Sequence, residues 1–276
     1  MMMMTSNFSP RYIKMQNLAN DALLTLPAKL PIKIKPLLKT LAETRNIVIH
    51  TYQQDAKAEG IILTDDNIQK YFYSKDGELS YFPDDDLYYL LYNANSQKER
   101  KQWTISHELG HYFAGHHLML DVDGKIPKAL DITFEKEANC FAREFLAPSW
   151  LIFYIATHFY TSDAIGLYTI MRSMFKLSKE ASFYISKDMS KNYNIYIDKK
   201  CYKRYIKLMS KFNSLLNDTY FSIIKDDNNF YALTRSYQKE YDAISYYYYN
   251  RITLPYFLKF YSVADIIKDM EIDVNN

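Results

Sequence analysis

Residues 107–111 read His-Glu-Leu-Gly-His. On a helix, His107 and His111 stand one turn apart on the same face. Two imidazole nitrogens placed in this way can bind one metal ion, and zinc is the usual choice. Glu108 is rotated by about 100° from His107. It points beside the metal, where it can take a proton from a water held there. Two ligands and one base within a single pentapeptide specify metal-assisted hydrolysis.

A catalytic zinc site needs three protein ligands and one open position. Of the six histidines, His107, His111, His116 and His117 fall in one window. His117 follows His111 at the distance of the third histidine of the metzincin pattern. That pattern wants glycine where this chain has Ala114, and the glycine is Gly115. A role for His116 and His117 at a helix C-terminus, where cations are favoured, fits better. The stronger candidate lies in EKEANCFAREFLAP, residues 135–148. There Glu135, Ala138, Asn139, Ala142 and Leu146 share a helical stripe, small and apolar apart from Glu135 and Asn139. A carboxylate on such a face needs a partner, because an unpaired buried charge is expensive. A metal ion is such a partner. Asn139, one turn on, can accept a hydrogen bond from the free ring N–H of a ligand histidine and so fix its tautomer. Glu137 is the rival ligand, but its face also carries Phe141 and Glu144, so Glu135 is preferred.

These residues need elements to position them. Ser96 and Glu99 read as a capping box, starting a helix that runs to about Gly115 and carries the metal motif in its second half. A second helix is expected over 133–146, stopped by Pro148, with further helices near 149–159, 162–175 and 178–189. Upstream, residues 1–30 are weakly patterned. Ile34, Leu37, Leu38 and Leu41 have helical spacing, and 46–52 is rich in β-formers. Short strands are expected at 61–63, 71–73 and 79–82, with Gly77 marking a turn, and the clearest strand is 87–92, LYYLLY. Beyond 191 the pattern changes. Residues 193–197 read as extended, 199–216 as helical, and 219–234 as two short strands around Asp226-Asp227-Asn228-Asn229. A domain boundary is placed near 190, with 31–190 as the catalytic domain and 191–276 as a C-terminal α+β extension of unknown role. Strands first and helices later predict an α+β fold. The metal helix would then pack on a small sheet, with 87–92 as an edge to which an extended peptide adds.

Composition narrows the function. At 276 residues the chain can bury a core. A net charge of +2 argues against nucleic acid or a membrane surface as the main partner. Two cysteines, Cys140 and Cys201, make neither a disulfide framework nor a thiolate zinc site, and a reducing cytoplasm fits best. No apolar run approaches the ~20 residues of a membrane span, and Met1 to Met4 do not begin a signal peptide. The 27 tyrosines read as coding bias. Stacking platforms for single-stranded nucleic acid would want more positive charge.

The motifs resemble, in order, those of the ImmA/IrrE-type metallopeptidases. The similar segments are LPIKIKPLLKTLAETRNIVI at 30–49, LYYLLYN at 87–93, QWTISHELGHYFAGHH at 102–117, EKEANCFAREFLAP at 135–148 and MFKLSKEASFYISK at 174–187. Together they cover about 30–190. Leu177 stands where the family more often has Val, and Ala147 where it usually has Met, both matters of packing. The resemblance implies a small zincin-like domain with zinc held by His107, His111 and Glu135, and with Glu108 as the catalytic base. It also implies a partner, a transcriptional repressor with a helix-turn-helix domain. Cleaving it would derepress genes of a mobile element or a stress response. The tail after 190 matches nothing in the family.

Three readings follow. The first is a zinc-dependent endopeptidase in which Glu108 moves the proton and Tyr112, His116 or His117 stabilises the oxyanion. The second is a module that binds or sequesters its partner without cutting it, as in a toxin–antitoxin pair. The intact Glu108 argues against it. The third uses 162–189, with Lys176, Lys179 and Lys187, as a DNA-binding helix pair. Its charge is sparse.

Overall fold

The computed structural model of the protein describes residues 10–44, 46–119, 128–193, 205–218 and 226–250. The chain divides into two compact units, one joining residues up to 27 with 32–146, the other made mainly of residues from 147 on. The division therefore falls well before the boundary near 190 expected from sequence.

In the first unit, helix α1 (Tyr12–Leu24) buries Met15, Ala19, Ala22 and Leu23. That spacing is one helical face, so this part of the expected weakly structured lead is a docked helix. Helix α2 (Lys35–Thr44) buries Leu37 and Leu41 and packs on strand β1 (Ile47–Thr51). Helices α3 (Tyr52–Ala58) and α4 (Ile68–Tyr71) follow, then strands β2 (Gly77–Phe82) and β3 (Leu87–Tyr92). The sheet order is β1-β3-β2, with β1 parallel and β2 antiparallel to β3.

The strand 87–92 is the middle strand of the sheet, not its edge. Leu90 and Leu91 are buried, as suits a strand paired on both sides. Residues 61–63 are not a strand, because Asn67 claims their backbone: its side chain donates to Ile62 O at 2.9 Å and accepts from Thr64 N at 2.7 Å. Tyr71 ends α4, and the Tyr73 N–H is taken by Glu78 Oε2 at 2.8 Å, so 71–73 is not a strand either. Gly77 opens β2 rather than turning the chain. A Cβ there would lie 2.6 Å from Thr104 Cγ2, so glycine lets the strand run close against the next helix.

That helix, α5 (Lys98–Ala114), contains residues 107–111 and packs on β2, β3 and helix α6 (Lys128–Leu146). The expected capping box does not form: Gln97 is the N-cap and makes no side-chain cap bond, which leaves Ser96 one residue too early. Gly115 closes the helix with φ of 72°, the left-handed conformation glycine adopts without strain. Helix α6 begins five residues earlier than the expected 133 and packs on both α1 and α5.

Every regular element among the described residues of the second unit is helical. Helices α7 (Ser149–His158) and α8 (Ala164–Ile170) lead through a wide turn, Met171–Phe175, to α9 (Lys179–Lys191), then α10 (Ile206–Asn217) and α11 (Asp227–Asn250). The strands expected over 219–234 are replaced from 227 on by α11. Asp226 Oδ1 accepts the Asn228 N–H at 3.0 Å and starts a helix where the sequence predicts the link between two short strands. Residues 219–225, the rest of the extended stretch beyond 193, and 199–204 lie outside the described residues. Helix α11 packs on α8 and α9 through Tyr168, Phe183, Ala243 and Ile244. Glu240 gathers the Tyr168 hydroxyl, Arg172 Nε at 3.0 Å and Lys179 Nζ at 3.6 Å. Lys187 lies 3.3 Å over the Tyr248 ring. No helix among the described residues is long and apolar enough to cross a membrane.

Candidate metal centre

Helix α5 turns Ile105, Ser106, Leu109, Gly110 and Ala114 inward. His107 and His111 fall on the flank facing α6 and remain partly accessible. Their Nε2 atoms are 3.1 Å apart. Glu135 of α6 completes the group, with Oε2 3.3 Å from His107 Nε2 and Oε1 3.4 Å from His111 Nε2. Donors about 2.05 Å from a tetrahedral zinc ion would stand about 3.3 Å from one another. Two imidazoles and a carboxylate at these spacings fit zinc in both chemistry and size. The two helices approach closely enough because position 110 is glycine: a Cβ there would lie 2.8 Å from Ala138 Cα and 2.9 Å from Ala138 O.

Each histidine is held from behind. His107 Nδ1 is 3.1 Å from Asn139 Oδ1, the amide one turn after Glu135. His111 Nδ1 is 2.8 Å from His116 Nδ1. His116 reaches this place because Gly115 reverses the chain into a short helical turn, His116–Met119. Its ring stacks on Phe134, with centroids 4.1 Å apart. Its Nε2 meets Glu137 Oε2 at 2.9 Å. Glu137 also accepts from the backbone N–H of Arg11 at 2.7 Å, and from Arg11 Nε and Nη2 at 2.9 and 2.7 Å.

The electrostatics follow from these contacts. Hydrogen bonds from His107 and His111 hold the Glu135 carboxyl well below the usual carboxylate range. Burial would push Glu137 up, but Arg11 and His116 outweigh it and hold it at about 2. Burial drives His116 down to about 4 against the pull of Glu137, so its ring is neutral near pH 7. Burial raises the Glu108 carboxyl, opposed by His107 and His111 and helped by Glu135 and by Glu78 of β2. A raised carboxylate suits a general base, whose best pKa lies near the operating pH.

The structure thus brings His107, His111, Glu135, Glu108 and Asn139 together and keeps Glu137 apart. The sequence argument for Glu135 assumed a buried charge in search of a partner. The side chain of Glu135 is 52% exposed, whereas that of Glu137 is 1% exposed and already paired. His117 does not join the donors. Its Nε2 contacts the Tyr88 hydroxyl, and its ring sits among Tyr88 and Tyr81. His116 lies behind His111 with both ring nitrogens engaged, so it is not placed to stabilise an oxyanion. Tyr112 stands edge-on to Tyr88. The sequence reading missed Arg11, the bridging place of His116, and Glu78. The pairing of Arg11 with Glu137 spans more than a hundred residues and leaves no local signal.

Among known families, residues 67–182 match a peptidase family described as the IrrE N-terminal-like domain. No curated protein and no solved structure matches the chain.

Proposed function

We propose, from the match of residues 67–182 to that peptidase family, that the chain is a zinc-dependent endopeptidase. The observation that carries the reading is the convergence of His107 Nε2 and His111 Nε2, 3.1 Å apart, on the Glu135 carboxylate, whose Oε2 lies 3.3 Å from the first and whose Oε1 lies 3.4 Å from the second, beside Glu108. His107, His111 and Glu135 would hold the ion. An ion held there would supply a Lewis acid for the scissile carbonyl and acidity for the attacking water. Glu108 accepts the proton of that water and returns it to the leaving amine. Asn139 and His116 keep the ring protons of the two histidines on the outer nitrogens, which leaves the inner lone pairs for the metal.

The free edge nearest this chemistry belongs to β2, which packs on α5 and pairs only with β3 among the described residues. An extended peptide can add to β2 by main-chain hydrogen bonds. By resemblance to the ImmA/IrrE-type enzymes, the substrate we propose is a partner repressor with a helix-turn-helix domain, whose cleavage derepresses a mobile element or a stress response.

The test compares wild type with Glu108→Gln, each mixed with such a repressor from a neighbouring gene. Glu108→Gln is expected to keep its zinc in chelator competition and to lose cleavage by at least about a hundredfold, at the low end of general-base contributions. Cleavage retained by the variant would sink the mechanism. A repressor bound but left uncut by wild type would instead favour sequestration.

A further inference from the structure

Behind the metal site lies a chain of contacts whose hydrogen-bond directions follow from the donors and acceptors present when His116 holds one ring proton. Glu137 is 1% exposed and, as a carboxylate, only accepts. The His116 Nε2 atom at 2.9 Å must therefore be the donor. A neutral imidazole carries one N–H, which leaves His116 Nδ1 as an acceptor. His111 Nδ1, at 2.8 Å, must then carry the proton and donate it. With its proton on Nδ1, His111 has its lone pair on Nε2, the atom 3.1 Å from His107 Nε2 and 3.4 Å from Glu135 Oε1. His107 reaches the same tautomer in one step, through Asn139. His111 needs three residues, and the last of them, Arg11, precedes α1 and lies outside the segment that matches the peptidase family.

We propose that Arg11, Glu137 and His116 form a positioning relay that holds His111 in the tautomer able to bind a metal, and so couples docking of the N-terminal helix to metal affinity. The proposal rests on the reading that His111 is a ligand. Arg11 anchors Glu137 with its backbone N–H and its guanidinium together, so Glu137 keeps its orientation only while the start of α1 is in place. Stacking on Phe134 fixes the plane of His116. Coupling of this kind is reciprocal: whatever factor Arg11 adds to zinc affinity, zinc must add to the docking of Arg11.

The test uses the full chain and zinc itself. In the chelated wild-type protein, ring 15N shifts are expected to place the His111 proton on Nδ1. A proton found on Nε2 would overturn the proposal without any variant. His116→Phe keeps the ring and its stacking but offers no acceptor. It is expected to weaken zinc binding about 10- to 100-fold, the usual effect of losing a partner behind a ligand, and to release the His111 proton from Nδ1. His116→Gln, which restores an acceptor oxygen, is expected to recover most of that loss. Arg11→Ala is expected to weaken zinc, and zinc is expected to slow exchange of the Arg11 amide in wild type. A His116→Phe protein that binds zinc like wild type, with His111 still protonated on Nδ1, defeats the relay. A wild-type protein that binds no zinc defeats the metal-site reading instead, while the tautomer measurement still decides the relay.

Discussion

Glu135 and Glu137 are separated by about 200° around α6, and that angle sorts their chemistry. Glu135 faces the histidine pair on the accessible side, and Glu137 faces Arg11 and His116 in the interior. The Glu137 pairing has a pH signature in the metal-free protein. Its folded-state value, about 2, lies below the ~4.3 of an unfolded glutamate. A depressed carboxylate contributes stability that is complete above the unfolded value and is lost as pH falls through the folded one. In chelator, the stability gap between wild type and Glu137→Gln is therefore expected to narrow as pH drops from about 5 to about 2. Denaturant melts across that range check it, and a gap that stays constant would count against the pairing. Both glutamates were legible as candidates in EKEANCFAREFLAP. Their environments were not, because the partners of Glu137 are His116, in the turn after α5, and Arg11, 126 positions away in sequence.

At the scale of elements, the site depends on how closely α5 and α6 approach. Gly110, next to His111 and one turn after His107, sits against the backbone of Ala138, one turn after Glu135. In Gly110→Ala the better helix propensity would add about 1 kcal/mol. The new methyl, however, meets backbone at 2.8 Å, and backbone can yield only if the helices part. Overpacking of this kind costs about 1–3 kcal/mol, so net destabilisation is expected, together with weaker zinc binding as Glu135 draws away from the histidines. Chelator-treated melts and zinc competition measure the two effects, and a variant unchanged in both would refute this account of the helix contact. The glycine of His-Glu-Leu-Gly-His thus has a packing reason that the motif alone does not reveal. The sheet teaches a similar lesson. The β-branched run at 47–51 and the apolar, aromatic run at 87–92 revealed strands, but strand order depends on pairing across the chain, and β3 proved central where an edge was expected.

At the scale of the whole molecule, every proposed donor and the proposed base lie in the unit that ends at Leu146, although the family match continues to 182 in the other. Zinc at about 100 times its Kd adds about 2.7 kcal/mol to whatever it binds. Slowed amide exchange is expected in residues 10–27 and 32–146, with the openings of 147–250 left as they were. Equal slowing throughout would mean that the chain opens as one cooperative body.

The sequence by itself determined what depends on near neighbours: two histidines one turn apart, a base beside them, a helix stopped at Gly115, and an apolar strand at 87–92. Such features follow from repeats of 3.6 or 2 residues and survive in any tertiary setting. Only the tertiary structure decided which glutamate meets the histidines, why His116 turns inward while His117 joins the tyrosines, and that Arg11 reaches the metal helix through Glu137. These outcomes turn on the roll and separation of α1, α5 and α6, set by the Gly110–Ala138 contact and by a half-buried ion pair between residues 126 positions apart.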